Sequence, residues 1–182
     1  MIRLVKLLKW DLQSKDYRFN YILFLLRNLP GGFGMAVRSR FLSKYIGASG
    51  QNLTIHEGVR IRNVHRLICG DHVTIGVDNF LQAAGWIKIG NDVLLGPDVK
   101  IWSSNHVFDD PYTPVSQQGY EEKQVLIGNN VWIGANCFIM PGAQIGDGCI
   151  VSAGSVVGAK NIPPYTVLAG NPARKVGSRI KE

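Results

Sequence analysis

Aliphatic side chains recur every six residues along most of this chain. From residue 127 the repeat runs without a slip, and glycine directly follows several of its members. The members of this run are Ile127, Ile133, Ile139, Ile145, Val151 and Val157. Looser runs of the same period come earlier: Ile55, Ile61 and Leu67; Cys69, Ile75, Leu81 and Ile87; Ile89, Leu95, Ile101 and Val107. Most of the chain is therefore a tandem repeat.

A period of six fits neither an α-helix, which repeats about every 3.6 residues, nor a long strand, which repeats every two. It fits short straight segments joined by tight corners, where Gly, Asn and Asp accept the backbone angles that corners need. Three segments close one coil, and stacked coils bring the aliphatic side chains into one interior column. A β-sandwich would instead show turn signals at roughly 8 to 12 residues. The pattern predicts an all-β, parallel solenoid.

The repeat is lost once, in the polar stretch "SSNHVFDDPYTPVSQQGYEEKQ" at residues 103–124. It resumes with better fidelity at Ile127, so the stretch is an insertion into a coil and does not end a domain. The predicted organisation is an N-terminal helical segment and linker at 1–50, a β-helix at 51–173 with a protruding loop at 107–124, and a basic tail at 174–182.

The net charge of +7 belongs entirely to the N-terminal segment. Residues 1–50 hold nine Lys or Arg against two Asp, while residues 51–182 hold eleven of each sign. The repeat region is thus no basic platform for nucleic acid. The longest apolar run, "YILFLL", is too short to span a bilayer, which takes roughly 20 residues, and no signal-peptide cleavage site follows it.

One or two amphipathic helices are predicted for this segment, with two interpretations that are compatible with each other. The helices cap one end of the coil, or a basic helix within residues 1–30 lies on anionic lipid. The glycine cluster "GGFGMA" after Pro30 lacks a dinucleotide fingerprint and is interpreted as a linker. Three cysteines at no metal-ligand spacing argue against a disulfide framework or a zinc module, and fit a reducing cytosol.

The stretches "IGNNVWIGANCFIMPGAQIGDGCIVSAGSVV" and "NIPPYTVLAGNPAR" resemble the hexapeptide-repeat acyltransferases, including galactoside, maltose and serine acetyltransferases. The N-terminal segment looks more like that of the O-acetyltransferases of capsule, O-antigen and colanic-acid gene clusters. The resemblance covers about residues 50–176. It implies a left-handed parallel β-helix, a hand opposite to the usual parallel crossover, and homotrimers that bind acetyl-CoA in a groove between subunits.

Acetyl transfer to a hydroxyl requires a base, and imidazole suits that role near neutral pH. In the family, a histidine where the coil gives way to a loop is the base, and His106 matches it. An ordinary loop histidine is the alternative, and for His56, His65 and His72 a structural role is favoured. Asn105 either contacts the acceptor or turns the chain.

Two loop carboxylates, Asp109 and Asp110, either orient the imidazole or bind substrate, or form a solvated turn before Pro111. Trp132 matches a family tryptophan that lines the acceptor and pantetheine region, although an aromatic at a coil corner could equally pack in a trimer. The γ-class carbonic anhydrases share this fold and hold zinc with three histidines. Since no histidine follows His106, no metal site is expected.

The resemblance also indicates donor contacts. The backbone N–H of Ala135 matches the donor to the acetyl carbonyl, a role that needs no particular side chain, and Ala153 matches a pantetheine contact. Lys160 is a further donor contact, in a stretch that has one residue more here than in the galactoside enzymes. Arg174 and Lys175 suit the phosphates of coenzyme A, with a solvated basic tail as the alternative.

The function predicted from these residues is acetyl-CoA-dependent O-acetylation of a saccharide hydroxyl in bacterial surface-polysaccharide synthesis, by direct attack with His106 as general base. A lipid-linked acceptor would explain the basic, aromatic N-terminus, with the protein cytoplasmic and peripheral on the inner face of the membrane. The alternatives are N-acetylation of a nucleotide-linked amino sugar, detoxification of an antibiotic, and a non-catalytic β-helix scaffold.

Overall fold

The computed structural model describes residues 2–180, without the side chains of Ile2, Lys15 and Asp16. Met1 of the predicted N-terminal segment and residues 181–182 of the predicted tail lie outside the described residues. Three helices come first, and short strands follow in a repeating order that visits three sheets in turn.

The three sheets, which we name A, B and C, form the walls of a triangular solenoid. Sheet A contains β1 (Ala48–Ser49), β4 (Leu67–Cys69), β7 (Ile87–Ile89), β12 (Val125–Ile127), β15 (Gln144–Ile145) and β18 (Asn161–Ile162). Sheet B contains β2 (Thr54–Ile55), β5 (Thr74–Ile75), β8 (Leu94–Leu95), β13 (Trp132–Ile133), β16 (Ile150–Val151), β19 (Thr166–Ala169) and β20 (Arg174–Ser178). Sheet C contains β3 (Arg60–Arg62), β6 (Phe80–Gln82), β9 (Lys100–Trp102), β14 (Phe138–Ile139) and β17 (Val156–Val157).

Stacking of the coils is in register and parallel. Ile133 lies opposite Val151 in sheet B and Ile139 opposite Val157 in sheet C, so aliphatic residues of successive coils meet in columns. Within the coils these side chains are buried, most of them at 2% exposure or less. Burial of apolar surface and parallel backbone hydrogen bonds therefore stabilise the same segments. The predicted all-β, parallel β-helix is confirmed.

Corner residues explain the Asn and Asp between the aliphatic positions. Asn52, His72, Asp92 and Asn130 occupy equivalent corners of successive coils and all have φ between 53° and 57°. Asn and Asp tolerate this left-handed conformation better than most residues. His72 takes the same conformation, and its Nδ1 lies 3.3 Å from Asp92 Oδ1 of the next coil. His72 is therefore a structural residue at a corner of the coil.

The N-terminal segment folds into α1 (Ile2–Gln13), α2 (Lys15–Leu26) and α3 (Gly31–Leu42). The "GGFGMA" stretch, expected to be a linker, is instead the start of α3. Pro30 precedes the helix with extended backbone angles, and Gly34 lies against the end of α2, where an added Cβ would come within 2.0 Å of Leu29 O. The glycine permits close contact between α3 and Leu29 in the connection that precedes it, and the linker interpretation was wrong.

Arg38 stabilises the packing of α3 against α2 and the first coil through hydrogen bonds of its guanidinium. The side chain is fully buried. Its guanidinium donates to the carbonyl of Leu26 at the end of α2, to those of Arg27 and Leu29 just after it, and to Ile55 O in the first coil. Leu26 is the last residue of α2, so its carbonyl has no partner within the helix. Burial lowers the pKa of the Arg38 guanidinium, and nearby Glu57 opposes that shift. One cation thus joins α2, α3 and the coil.

Helices α2 and α3 cover the first coil, with Phe19, Leu23 and Leu42 buried in the common core. Helix α1 packs on α2, where Trp10 lies 5.3 Å from Tyr17 between ring centroids and Tyr21 Oη donates to Asp11 Oδ2 at 2.9 Å. The side chains of residues 3–10 are all exposed. None of the helices within residues 2–180 is long and apolar enough to cross a bilayer.

The far end of the solenoid closes differently. Strand β20, in the segment predicted as a basic tail, turns back and pairs antiparallel with β19. Arg179 then donates to Gly148 O at 3.0 Å and to Asn130 O at 3.3 Å.

Candidate active site

The long excursion leaves the third coil at Ser103. This residue is fully buried: its hydroxyl donates to Gln82 O at 2.8 Å and accepts from Gly85 N at 2.9 Å. Its carbonyl accepts from Lys123 N at 2.8 Å, so the two ends of the excursion meet at one point of the corner between sheets C and A. Between these ends, β10 (Ser104–His106) and β11 (Tyr120–Glu122) form an antiparallel pair. A 3-10 helix, Val115–Gln117, lies in the connection.

His106 is the last residue of β10 and is exposed. Its cross-strand partner is Tyr120, and the two rings lie 4.3 Å apart between centroids at an interplanar angle of 37°. The side chain of Asn105 accepts a hydrogen bond from His106 N at 3.0 Å. The hairpin therefore holds the imidazole beside an aromatic ring and leaves the rest of it open to solvent.

The two carboxylates of the loop differ. Asp110 organises a turn: its carboxylate accepts from Tyr112 N at 2.9 Å and Thr113 Oγ1 at 2.6 Å, and these hydrogen bonds lower its pKa. Asp109 is exposed. Among the side chains that the structure describes, no carboxylate hydrogen-bonds the His106 imidazole, and the aromatic ring of Tyr120 is its neighbour instead.

Contacts from earlier coils hold the hairpin in place. Arg66, which ends a 3-10 helix at Val64–Arg66 in the first coil, lies 2.9 Å from Glu122 Oε2 and also donates to Ala84 O. Gln82 Nε2 donates to Ser104 Oγ at 3.1 Å. These residues were missed by sequence reasoning. The only available signal was the extra length of the early corners, which interrupts the six-residue repeat at both places.

A row of unused N–H groups runs down the corner between sheets B and C. Ala135 N and Ala153 N donate no hydrogen bond to any residue that the structure describes, although Ala135 O accepts from Gly154 N at 2.8 Å. The equivalent position of the third coil is Pro97, which has no backbone N–H. A proline fits there because the fold needs no hydrogen bond from that nitrogen. Unpaired donors at this corner fit a carbonyl-bearing ligand such as the thioester and pantetheine of acetyl-CoA.

Three residues that were predicted to contact coenzyme A, two of them (Arg174 and Lys175) through its phosphates, lie near the end of the coil. Lys160 Nζ donates to Ala173 O at 2.7 Å, which brings it next to Arg174. Arg174 and Lys175 are exposed on β20, and neither pairs with a carboxylate of the described part of the chain. These unpaired cations make this end of the coil a suitable place for phosphate.

Trp132 lies on the outer face of sheet B, opposite Leu94 and Ile150, and half of its surface is exposed. Within one chain, His106 lies at the C-to-A corner while Ala135 and Ala153 lie at the B-to-C corner, at the other edge of sheet C. No group of three or more His, Cys, Asp or Glu within residues 2–180 is arranged to hold a metal ion.

Comparison with known proteins identifies the class. A family model described as bacterial transferase hexapeptide (six repeats) matches residues 124–159. WbbJ of Escherichia coli K12, named for O-acetyl transfer in lipopolysaccharide biosynthesis, is 33% identical over 134 residues, which cover 69% of this chain and 68% of WbbJ. The chain belongs to the hexapeptide-repeat acetyltransferase family.

A solved structure extends the likeness over nearly the whole chain. The hexapeptide-repeat acetyltransferase VCA0836 of Vibrio cholerae O1 biovar eltor, solved with acetyl coenzyme A, superposes with a TM-score of 0.83 at 25% identity and covers 93% of this chain and 89% of its own.

Some relatives are longer. An acetyltransferase of Mycobacterium tuberculosis is 28% identical over 180 residues, 98% of this chain, but the chain spans only 57% of that relative's length. It spans 42% of the length of a Schizosaccharomyces pombe relative.

Proposed function

We propose that this protein transfers the acetyl group of acetyl-CoA to a saccharide hydroxyl, with His106 as the general base. The observation that carries the proposal is the position of His106, an exposed imidazole at the end of a hairpin strand that a rigid coil anchors at both ends. General base catalysis needs this combination of a fixed position and access for the acceptor.

The proton transfer involves few groups. The imidazole takes the hydroxyl proton while the acceptor oxygen attacks the thioester carbonyl directly, without an acyl-enzyme. The C–S bond then breaks, and the imidazolium gives the proton to the leaving sulfur of coenzyme A. Acetyl-CoA supplies the activated acetyl group. The tilted ring contact with Tyr120 restricts rotation of the His106 ring, a role that was left open for Asp109 and Asp110 together with a solvated turn. Asn105 and Asp109, both exposed on the hairpin, remain candidates for acceptor contacts, and Trp132 for the acceptor and pantetheine region.

For the donor, the unpaired N–H groups of Ala135 and Ala153 support contacts to the acetyl carbonyl and the pantetheine. The cations at Lys160, Arg174 and Lys175 support binding of the coenzyme A phosphates. Since His106 and the donor corner lie at different edges of sheet C, we propose a homotrimer in which the hairpin of one copy faces the corner of its neighbour.

Membrane association is the other half of the proposal. Helix α1 exposes Leu4 (70%), Leu8 (45%) and Trp10 (59%) between Arg3, Lys6 and Lys9. Apolar and cationic side chains on one exposed helix favour an anionic lipid surface. We therefore place the protein in the cytoplasm, peripheral on the inner face of the membrane, where lipid-linked precursors of surface polysaccharide are presented.

The test of the reaction is product analysis by mass spectrometry. The full-length protein is incubated with acetyl-CoA and a panel of free, lipid-linked and nucleotide-linked sugars that includes amino sugars. An O-acetyl ester on a saccharide supports the proposal. An acetamide on an amino sugar would move the function to N-acetylation, and no acetyl-CoA binding at all would make the protein a scaffold.

The membrane half is tested by sedimentation with phosphatidylglycerol and phosphatidylcholine vesicles. Removal of residues 1–13 deletes α1 but keeps Phe19 and Leu23, which α2 contributes to the core. The intact protein should sediment with the anionic vesicles only, and the truncated protein should stay in solution. Equal binding by both proteins would disprove the assignment to α1.

A further inference from the structure

Three arginines surround one groove between α2 and the first coil. Arg60 and Arg62 point outward on either side of buried Ile61, and Arg27 directly follows α2. The groove encloses about 530 Å³ and is also lined by Phe24 and Phe80. Among the side chains that the structure describes, no carboxylate lies within ion-pair distance of these three.

This cluster differs from other cations of the chain. Arg38 lies 3.6 Å from Glu57, Arg66 2.9 Å from Glu122, and Lys123 2.8 Å from Glu121. Three like charges around one concave surface repel one another, and an anion bound between them would relieve that repulsion. Guanidinium groups bind phosphate through two parallel hydrogen bonds, which suits a phosphate or diphosphate.

One end of the groove is apolar. Phe24 lines it and is 77% exposed, and an adjoining groove that shares Asn20 and Phe24 is lined further by Tyr17 and Tyr21. The guanidinium carbon of Arg60 lies over the ring of Phe80, 5.2 Å from its centroid. A hydrocarbon chain attached to the phosphate would therefore find an apolar surface beside the arginines.

The other end leads toward His106. A second groove of about 330 Å³ shares Asn20 and Arg62 with the first and reaches Gln82. Gln82 donates to Ser104, two residues before His106. In sheet C, Arg62 lies opposite Gln82 and Gln82 opposite Trp102, so two strand spacings, about 10 Å, separate the arginine from the strand that leads into the hairpin.

We infer that this groove is the diphosphate subsite for a lipid-linked saccharide acceptor. Arg60 and Arg62 hold the phosphates, Arg27 neutralises them from α2, the lipid chain lies along Phe24, and the saccharide extends past Gln82 toward His106. The inference rests on the proposed function, because that function makes the saccharide the group that must reach the imidazole.

Binding by the full-length protein, measured calorimetrically without acetyl-CoA, tests the subsite. The probes are farnesyl diphosphate, farnesol, inorganic pyrophosphate and uridine diphosphate glucose. The Arg60→Gln/Arg62→Gln variant should bind farnesyl diphosphate at least tenfold more weakly. The matched control, Arg40→Gln/Lys44→Gln, removes two charges and one cation–π contact from α3 and the segment after it, and should bind as the wild type does. Circular dichroism verifies folding, and Arg27→Gln, which should also weaken binding, is a second variant.

Each outcome either supports or contradicts the diphosphate subsite. Unchanged binding of farnesyl diphosphate by both arginine variants would overturn the subsite, and so would equal weakening in the control. Binding of uridine diphosphate glucose as tight as that of farnesyl diphosphate would contradict the lipid-linked class. Tight binding of farnesol alone would assign the groove to the chain and not to the phosphates.

A kinetic arm separates this inference from the proposed function. With a diphosphate-linked saccharide that the wild type acetylates, the Arg60→Gln/Arg62→Gln variant should raise KM at least tenfold with little change in kcat. A fall in kcat at constant KM would contradict a binding role. A wild type that binds farnesyl diphosphate through these arginines but acetylates no acceptor would refute the proposed function and not the anion site.

Discussion

The coils from residue 125 to 169 and the hairpin at 104–122 are held by different forces. In the coils, aliphatic side chains such as Ile133 and Ile139 are fully buried, and most strands pair with a neighbour on both sides. In the hairpin, one antiparallel pair and a few exposed polar contacts hold the chain, and every side chain from 105 to 124 is exposed or half-exposed. Stability and proposed chemistry thus reside in separate segments, so each can be changed alone.

Removing the hairpin gives the largest effect. Deletion of residues 103–122 brings Ile101 six positions before Ile127, which restores the repeat. Changing Lys123-Gln124 to Pro-Gly then reproduces the corner Pro141-Gly142 of the next coil, where Gly142 has φ of 85°. We expect this variant to unfold cooperatively, as circular dichroism would show, and to lose all acetyl transfer. Retained transfer would disprove the separation, and loss of β-structure would show that the hairpin supports the fold.

Truncations on the two sides of the comparison should differ in stability. Ile133→Ala removes a fully buried side chain from the column, and should lower the free energy of unfolding by about 2 to 5 kcal/mol. Tyr112→Ala, at a hairpin residue that is 94% exposed, should change it by less than about 0.5 kcal/mol. Urea unfolding curves measure both. Equal losses would mean that the hairpin packs as tightly as the coil.

Loosening the hairpin should lower activity modestly. Glu122→Gln removes the ion pair to Arg66. The side chains of this pair are 34% (Arg66) and 50% (Glu122) exposed. Exposed pairs contribute roughly 0.2 to 1 kcal/mol, so kcat should fall by up to about fivefold while the affinity for acetyl-CoA stays the same. Glu121→Gln, which removes the neighbouring pair to Lys123, is the matched control. A larger loss of acetyl-CoA affinity than of kcat would place Glu122 in donor binding.

The smallest effect concerns the thiols of the coil. Cys69, Cys137 and Cys149 are buried, and burial raises the pKa of the Cys69 thiol to about 12. Because the folded pKa lies above the ordinary value, this thiol stabilises the fold fully below about pH 9, and the contribution is lost as pH rises toward 12. A disulfide reagent at pH 8 should react only through unfolding, so the rate should reach a plateau at reagent concentrations high enough to trap every opened molecule. Fast reaction in the folded state would show an open coil.

Sequence patterns predicted the coil because its period follows directly from the interior column. They overran its boundary, since Val107 continues the period of six yet lies half-exposed in the hairpin region. The start of α3 was predicted wrongly because a glycine cluster in a sequence indicates a flexible linker. In the structure, Gly34 is part of the helix, and Leu29 lies too close to it for a larger side chain.

Long-range contacts were beyond such patterns. The Arg66–Glu122 pair joins residues 56 positions apart, and the burial of Arg38 depends on carbonyls of another helix. For the candidate site, the position of His106 at the break was visible in the sequence. Its stack on Tyr120 depends on hairpin register, which a polar loop does not specify.

The most direct test of the account replaces His106 by Ala and measures acetyl-CoA binding and acetyl transfer in the same preparation. His72→Asn is the control, because equivalent corners of other coils carry Asn. The account predicts unchanged acetyl-CoA affinity in both variants, a loss of about 10² to 10⁴ in kcat for His106→Ala, and wild-type transfer for His72→Asn. Transfer by His106→Ala at the wild-type rate would contradict it.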